Sequence, residues 1–170
     1  TIRFRLLYVF VVLGHANRQV IHFNVTANPT AEWTAQQGIE AFPWDSAPRF
    51  LLRDRDSIYG GYFRQRVDGM GIEQVVTAYR SPWQNAYVER LNGSIRRECT
   101  DRVIVFSENH LRRILRSYFE YYNNDRTHLG LEKETPKERA ISNRASPNSR
   151  LVELPRVGGF HHRYEWSEAA

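Results

Sequence analysis

Two carboxylates stand in settings where acids can do chemistry. Asp54 ends the apolar run "RFLLR", and Glu89 is the one acid in the interior of "SPWQNAYVERLNGSIRRE". Residues 55–88 lie between them. Acids of this kind bind divalent magnesium or manganese, which prefer a few carboxylates together with water and phosphate oxygens. Two such ions can serve phosphoryl transfer when acids from separate elements converge at one sheet edge. The plainer reading makes Asp54 a turn residue, Asp56 a cap for the next segment, and Glu89 a solvated acid. Spacing alone favours that plainer reading.

The elements that would position the pair can be read from periodicity. Phe4 to Leu13 is rich in Tyr, Val and Phe and predicts a strand. "GHANRQ" is a turn, and "VIHFNVT" (Val20 to Thr26) is a second strand, giving an antiparallel hairpin. Thr30 can cap a helix to about Phe42, with Trp33, Ile39 and Phe42 on its apolar side. "PWDSAP", which includes Asp45, is a loop, and "RFLLR" is a short buried strand. "YFRQRVDGM" predicts a short helix and "IEQVVT" a further strand. One helix then runs from about Gln84 to Glu98, and another from a cap at Ser107 to about Asn123. The stripe of that last helix is Leu111, Ile114, Leu115, Tyr118 and Tyr122. "NNDRTHLGLEKETP" is a loop. Residues 141–170 form a linker and tail, where "RLVELPRVGGFHHRYEW" could make a hairpin about Gly158 and Gly159. The order implies an α/β domain, a mixed sheet flanked by helices.

At about 100° per residue, Asn85, Glu89, Asn92, Gly93 and Arg96 share one helix face. Tyr87, Leu91 and Ile95 point the other way. Glu89 is thus expected on a polar, basic face while the helix buries its other side.

Composition bounds the partners. The chain has 170 residues, 41% hydrophobic, with a net charge of +5 and a sequence pI of 9.6. That is one domain with room for a core, and an excess of arginine suited to phosphate. A basic protein without an acidic partner fits the charge equally well. The single Cys99 excludes an internal disulfide and agrees with a reducing cytoplasm. No run approaches the ~18 apolar residues of a membrane span. His161 and His162 lack the Cys or His spacing of a zinc site and are taken as tail residues.

Three local sequences narrow these alternatives. "DRDSIY" (54–59) resembles the D-R-x-S-x-Y segment of integrase-core transposases, the DDE insertion-sequence enzymes related to retroviral integrases. "SPWQNAYVERLNGSIRRE" (81–98) resembles their P-x-x-N-A-x-x-E segment with its basic helix. "YYNNDRTHLGLEKETP" (121–136) resembles their closing Y-N-x-x-R-x-H-x-x-L-x-x-x-T-P motif. The resemblance runs from about Leu6 to Arg139, and the catalytic core is assigned to 1–140. It implies an RNase H-like fold and strand cleavage and strand transfer on DNA with Mg or Mn. Asp54 takes the place of the second family acid and Glu89 that of the third, as catalytic residues and metal ligands. Asp56 stands where the family often has glycine and is not assigned to the site.

One departure matters. The family's first aspartate lies on its first strand, before the segment that reads "RLLYVFVVL" here, and nothing acidic precedes Glu32. The expectation is that this strand and its acid lie upstream of Thr1. Metal binding would then be weakened and the chain inactive alone. The alternative is a non-catalytic remnant that binds DNA or a full-length partner. An RNA-directed nuclease of the same fold has the same metal chemistry, but the closing motif argues for a transposase.

Nucleic-acid contacts are expected from Arg80, Trp83, Gln84, Asn85, Arg90, Arg96 and Arg97, where aromatics stack on bases and arginines neutralise phosphates. Trp83 could equally be core. Arg112, Arg113 and Arg116 form a basic side of the later helix, more simply read as a solvated face. Arg126 and His128 either orient the site or tie the closing loop to the core. A homo-oligomer, no membrane attachment, and a cytoplasmic location, with the nucleoid in a bacterium, complete the expectations.

Overall fold

The computed structural model describes residues 5–43, 46–140 and 142–168. Phe4, the expected start of the first strand, and Trp44 and Asp45 of the "PWDSAP" loop lie outside the described residues.

The first strand is shorter than its composition suggests. β1 (Tyr8–Leu13) pairs antiparallel with β2 (Val20–Thr26). Their register runs from Tyr8 opposite Thr26 to Val12 opposite His22, then shifts at a bulge that sets Leu13 opposite Val20. The linking turn closes with the Gly14 N–H donating to the Gln19 carbonyl at 2.8 Å, and Arg18 adopts a left-handed φ of 59°.

Both faces of this hairpin are covered, as the alternation of a strand allows. Val11 and Leu13 pack against a core built from helices α3 (Ala86–Glu98) and α4 (Glu108–Asn124). Phe10 and Val12 belong to a second core with α1 (Ala31–Ala41) and α2 (Gly61–Gly69). Thr30 caps α1 by accepting from the Trp33 N–H at 3.1 Å. Ser107 caps α4 by accepting from the His110 N–H at 3.2 Å.

The expected apolar side of α1 is corrected. Its buried face is Thr34, Ala35, Gln37, Gly38 and Ala41, whereas Ile39 is exposed and Trp33 half-buried. Phe42 is buried as expected. α1 lies close against α2, and the small residues make room for Phe63 and Val67, both almost fully buried. The stripe of α4 is as expected, joined by buried Phe119.

α2 carries the chain over between β3 (Phe50–Arg53) and β4 (Glu73–Val76), which pair in parallel. A parallel pair requires such a crossover. Among the described residues the antiparallel ladder β1–β2 and the parallel ladder β3–β4 are not bonded to each other. A largely apolar cavity of about 510 Å³ separates them. β1 contributes Phe10–Leu13 to its wall and β3 contributes Phe50–Arg53. Among the described residues each of these two strands has a partner on one side only.

The last two described strands form a hairpin, β5 (Arg150–Arg156) and β6 (His161–Ser167), turned through Gly158 and Gly159 at φ of 65° and 90°. It is docked on α4. Val157 is buried in the first core. Asp125 accepts from Arg156 at 2.6 Å and from Arg163 at 3.1 Å. The tail reading of His161 is corrected: its ring stacks on Tyr121 at 4.5 Å, and its Nε2 meets the Glu98 carbonyl at 2.9 Å.

Candidate functional site

Asp54 follows β3 directly and is exposed. Its Oδ1 accepts from the Asp56 N–H at 3.1 Å, which shapes the turn. Asp56 accepts in turn from the Ile58 N–H at 3.0 Å and caps a 3-10 turn over Ser57–Tyr59. This is the capping role open to it from sequence. Arg55 donates to the Thr77 carbonyl at 2.8 Å and ties the turn to the end of β4. Tyr59 is pushed up to about 12, by burial first and then by the charges of Asp54 and Asp56. It stands beside the aspartates as a neutral phenol.

Glu89 lies in the first turn of α3, where the positive end of the helix dipole favours a carboxylate. It is exposed, and the face expected to be apolar does bury Leu91 and Ile95. Tyr87 stays exposed instead, with the guanidinium of Arg18 4.5 Å from its ring centroid. Asp54, Asn85 and Val88 all line the cavity between the two ladders, while Glu89 is not part of that wall. Neither Asp54 nor Glu89 is held in an ion pair among the described residues. Both carboxylates are therefore free to meet a cation. No group of three His, Cys, Asp or Glu that could hold a metal ion occurs among the described residues.

The loop before α3 presents aromatics to solvent. Tyr79 is 74% exposed and Trp83 71%, so Trp83 is not a core residue. Arg80 has a φ of 54° and sets its guanidinium 5.2 Å from the Tyr79 ring centroid. Gln84 holds this loop by accepting from the Ala78 N–H at 2.6 Å. Asn85 keeps a buried Oδ1 without a hydrogen-bond partner. Arg90, Arg96 and Arg97 are exposed along α3. Arg112 is a structural tie: it donates to Asn24 at 3.0 Å and to the Val25 carbonyl at 2.7 Å, fixing α4 to β2.

The closing loop is anchored by a partly buried network. Arg126 makes two bonds to Glu98, at 2.9 and 2.8 Å, and Tyr118 donates to the same carboxylate at 2.9 Å. Burial pushes Glu98 up, but the hydrogen bonds from Arg126 and Tyr118 outweigh it and hold the carboxyl below its ordinary range. His128 is buried, with Nδ1 3.3 Å from an Arg126 nitrogen. Burial first, then the Arg126 charge, holds its imidazole down at about 4. These contacts tie the closing loop to α3 and α4. Cys99 is buried and pushed up to about 11 by that burial, which leaves no thiolate for chemistry.

Sequence reasoning passed over Arg18 and Gly130. They share a cavity of about 180 Å³ with Tyr87, Arg90, Arg126 and His128. A lone arginine inside a turn carries no periodic signal, so only the folded chain could reveal it.

Residues 70–136 match the family model for an integrase core domain. Over that stretch, less than half of the chain, the protein is similar to an integrase core, and its mixed α/β fold is like that of an integrase-bearing assembly. Among curated proteins it is similar to the "Insertion element IS407 uncharacterized 31.7 kDa protein" of Burkholderia multivorans (strain ATCC 17616 / 249). The identity is 34% over 105 residues, covering 62% of this chain and 35% of that protein. The chain thus spans about a third of that relative's length. Among solved structures it is similar to a chain of the simian T-cell lymphotropic virus intasome in complex with PP2A regulatory subunit B56 gamma. The TM-score there is 0.59 at 14% identity, covering 94% of this chain and 60% of that one, a likeness of fold alone.

Proposed function

We propose that the chain is the catalytic part of an enzyme that cuts and joins DNA strands for a mobile element, with a divalent ion, Mg or Mn, held by Asp54 and Glu89. One observation carries this reading. Two exposed carboxylates without an ion-pair partner among the described residues stand just after β3 and in the first turn of α3: Asp54 lines the cavity between the ladders, and Glu89 lies within the segment similar to an integrase core. A bound divalent ion supplies Lewis acidity and lowers the pKa of an attacking oxygen. The chain's own residues bind and orient. Arg90, Arg96 and Arg97 neutralise backbone phosphates. Trp83, at 71% exposure, offers a stacking face for an unpaired base.

Two carboxylates make an incomplete set for this chemistry. We infer that a third arrives on a strand lying between β1 and β3, both of which have an unpaired side facing the cavity. Such a strand would join the two ladders into one sheet and reach the Asp54 end. The absence of a three-acid group among the described residues favours a second reading, a core that binds DNA or a full-length partner without chemistry. On either reading the protein works where DNA is, in the cytoplasm or on the nucleoid, and self-association would bring two DNA ends together.

The test is a Mn-dependent strand-transfer assay on the chain as given and on a version extended at its N-terminus in its own reading frame. The extended form is expected to be active and the shorter one not. Equal activity in both would overturn the third-carboxylate inference. Activity surviving Glu89→Gln or Asp54→Asn in the extended form would overturn the site. DNA binding without transfer in either form would establish the non-catalytic reading.

A further inference from the structure

The cavity between the 14–19 turn, the start of α3 and the closing loop has no place in the carboxylate chemistry. It measures about 180 Å³. That is room for a tetrahedral oxyanion. Three arginines line it. Arg126 is already neutralised by its two bonds to Glu98. Arg18 and Arg90 have no acidic partner and no hydrogen bond among the described residues. Arg18 is instead held by packing, its guanidinium resting over Tyr87 and against the backbone of Gly130. A Cβ at residue 130 would come within 2.3 Å of that guanidinium. The glycine at this position leaves the Arg18 guanidinium room to rest against the closing loop.

Two cationic forks at a small cavity, with no acid among its lining residues, call for an anion with several acceptor oxygens. The cavity shares Leu13 with the larger one that Asp54 lines. Arg90 also follows Glu89 directly in the first turns of α3. The site and the proposed catalytic acid are thus carried by the same helix.

We propose that Arg18 and Arg90 form a binding site for a single phosphate of the DNA backbone, holding the strand in register with Asp54 and Glu89. This rests on the DNA-directed reading above. Arg18 is the new member, since it lies far from the basic helix in sequence.

The experiment is fluorescence anisotropy of a short labelled duplex oligonucleotide across a salt series. Each phosphate neutralised contributes about 0.9 to the slope of log K against log salt. The double variant Arg18→Gln/Arg90→Gln is expected to bind more weakly with a slope shallower by about 0.9, because both arginines serve one phosphate. The control Arg113→Gln/Arg116→Gln removes two exposed charges from α4 and should leave the slope unchanged. Gly130→Ala keeps every charge and displaces only the flexible end of Arg18, so it should fold and weaken binding in the same direction. An unchanged slope in the double variant overturns the site. So does a loss near 1.8, which would mean two separate phosphates, or an equal loss in the control. If the wild-type chain fails to bind the duplex, the DNA-directed reading falls. Titration with inorganic phosphate, read by NMR at the arginine Nε–H groups, then decides the site: shifts at Arg18 and Arg90 uphold an oxyanion site, and their absence overturns it.

Discussion

At the scale of single residues, the anchoring network of the closing loop makes a pH prediction in two separate windows. His128 is held at about 4 in the folded chain, against about 6.5 when unfolded. The unfolded state therefore takes up the proton first, and stability falls as pH drops from about 6.5 to 4. Glu98 is depressed in the folded chain, so its contribution is present above its unfolded value of about 4.3 and is lost as pH falls through the lower folded value. Urea denaturation at a series of pH values should show the first loss flattened in His128→Gln and the second in Glu98→Gln. If His128→Gln left the limb between pH 6.5 and 4 as steep as in the wild type, the assignment of that limb to His128 would be wrong.

At the scale of elements, packing decides the outcome of substitutions that look alike in sequence. Gly38 lies mid-helix in α1, and a Cβ there would meet Phe63 at 3.5 Å and Val67 at 3.9 Å, ordinary contact distances. Gly38→Ala is expected to stabilise by about 0.5–1 kcal/mol, by removing glycine's conformational freedom. Leu115 is fully buried in α4, and Leu115→Ala should cost about 2–5 kcal/mol through lost burial and a residual cavity. Thermal or urea unfolding measures both. A destabilised Gly38→Ala would mean that α1 and α2 are already packed to their limit.

At the scale of the whole molecule, the terminal hairpin's ion pairs to α4's end converge on one carboxylate, beside the packing of Val157 and His161. The Asp125 side chain is only 4% exposed and holds both Arg156 and Arg163. Asp125→Ala leaves two arginines without that acceptor, and the loss should be on the order of 2 kcal/mol or more. Amide hydrogen exchange should then quicken over 150–167 and much less in α3. Uniform acceleration across the chain would show that the hairpin is not a separately opening unit.

Much of this protein was legible in its residues alone. Thr30 and Ser107 announce the caps of α1 and α4, because a side-chain oxygen before an amphipathic run has one economical use. The stripe of α4 follows from its period, and the α/β order from strands alternating with helices. The polar face of α3, with Glu89, Asn92 and Arg96 outward, follows from 100° per residue. The family motifs mark Asp54 and Glu89 as the acids to watch. What depends on pairing at long range was not legible. Periodicity says which side of α1 could be buried, but the bulk of Phe63 and Val67 on α2 selects its small residues. Arg112 reads as one arginine of a solvated run until β2 supplies Asn24 and the Val25 carbonyl. His161 reads as tail until the hairpin folds back onto Tyr121. The gap between the two ladders, and the meeting of Arg18 with Arg90 and Gly130, arise only when segments far apart in sequence come together, Arg18 and Gly130 with 111 residues between them. Local sequence sets propensities and faces; which faces meet, and which strand edges and charges are left without a partner, is decided by tertiary packing.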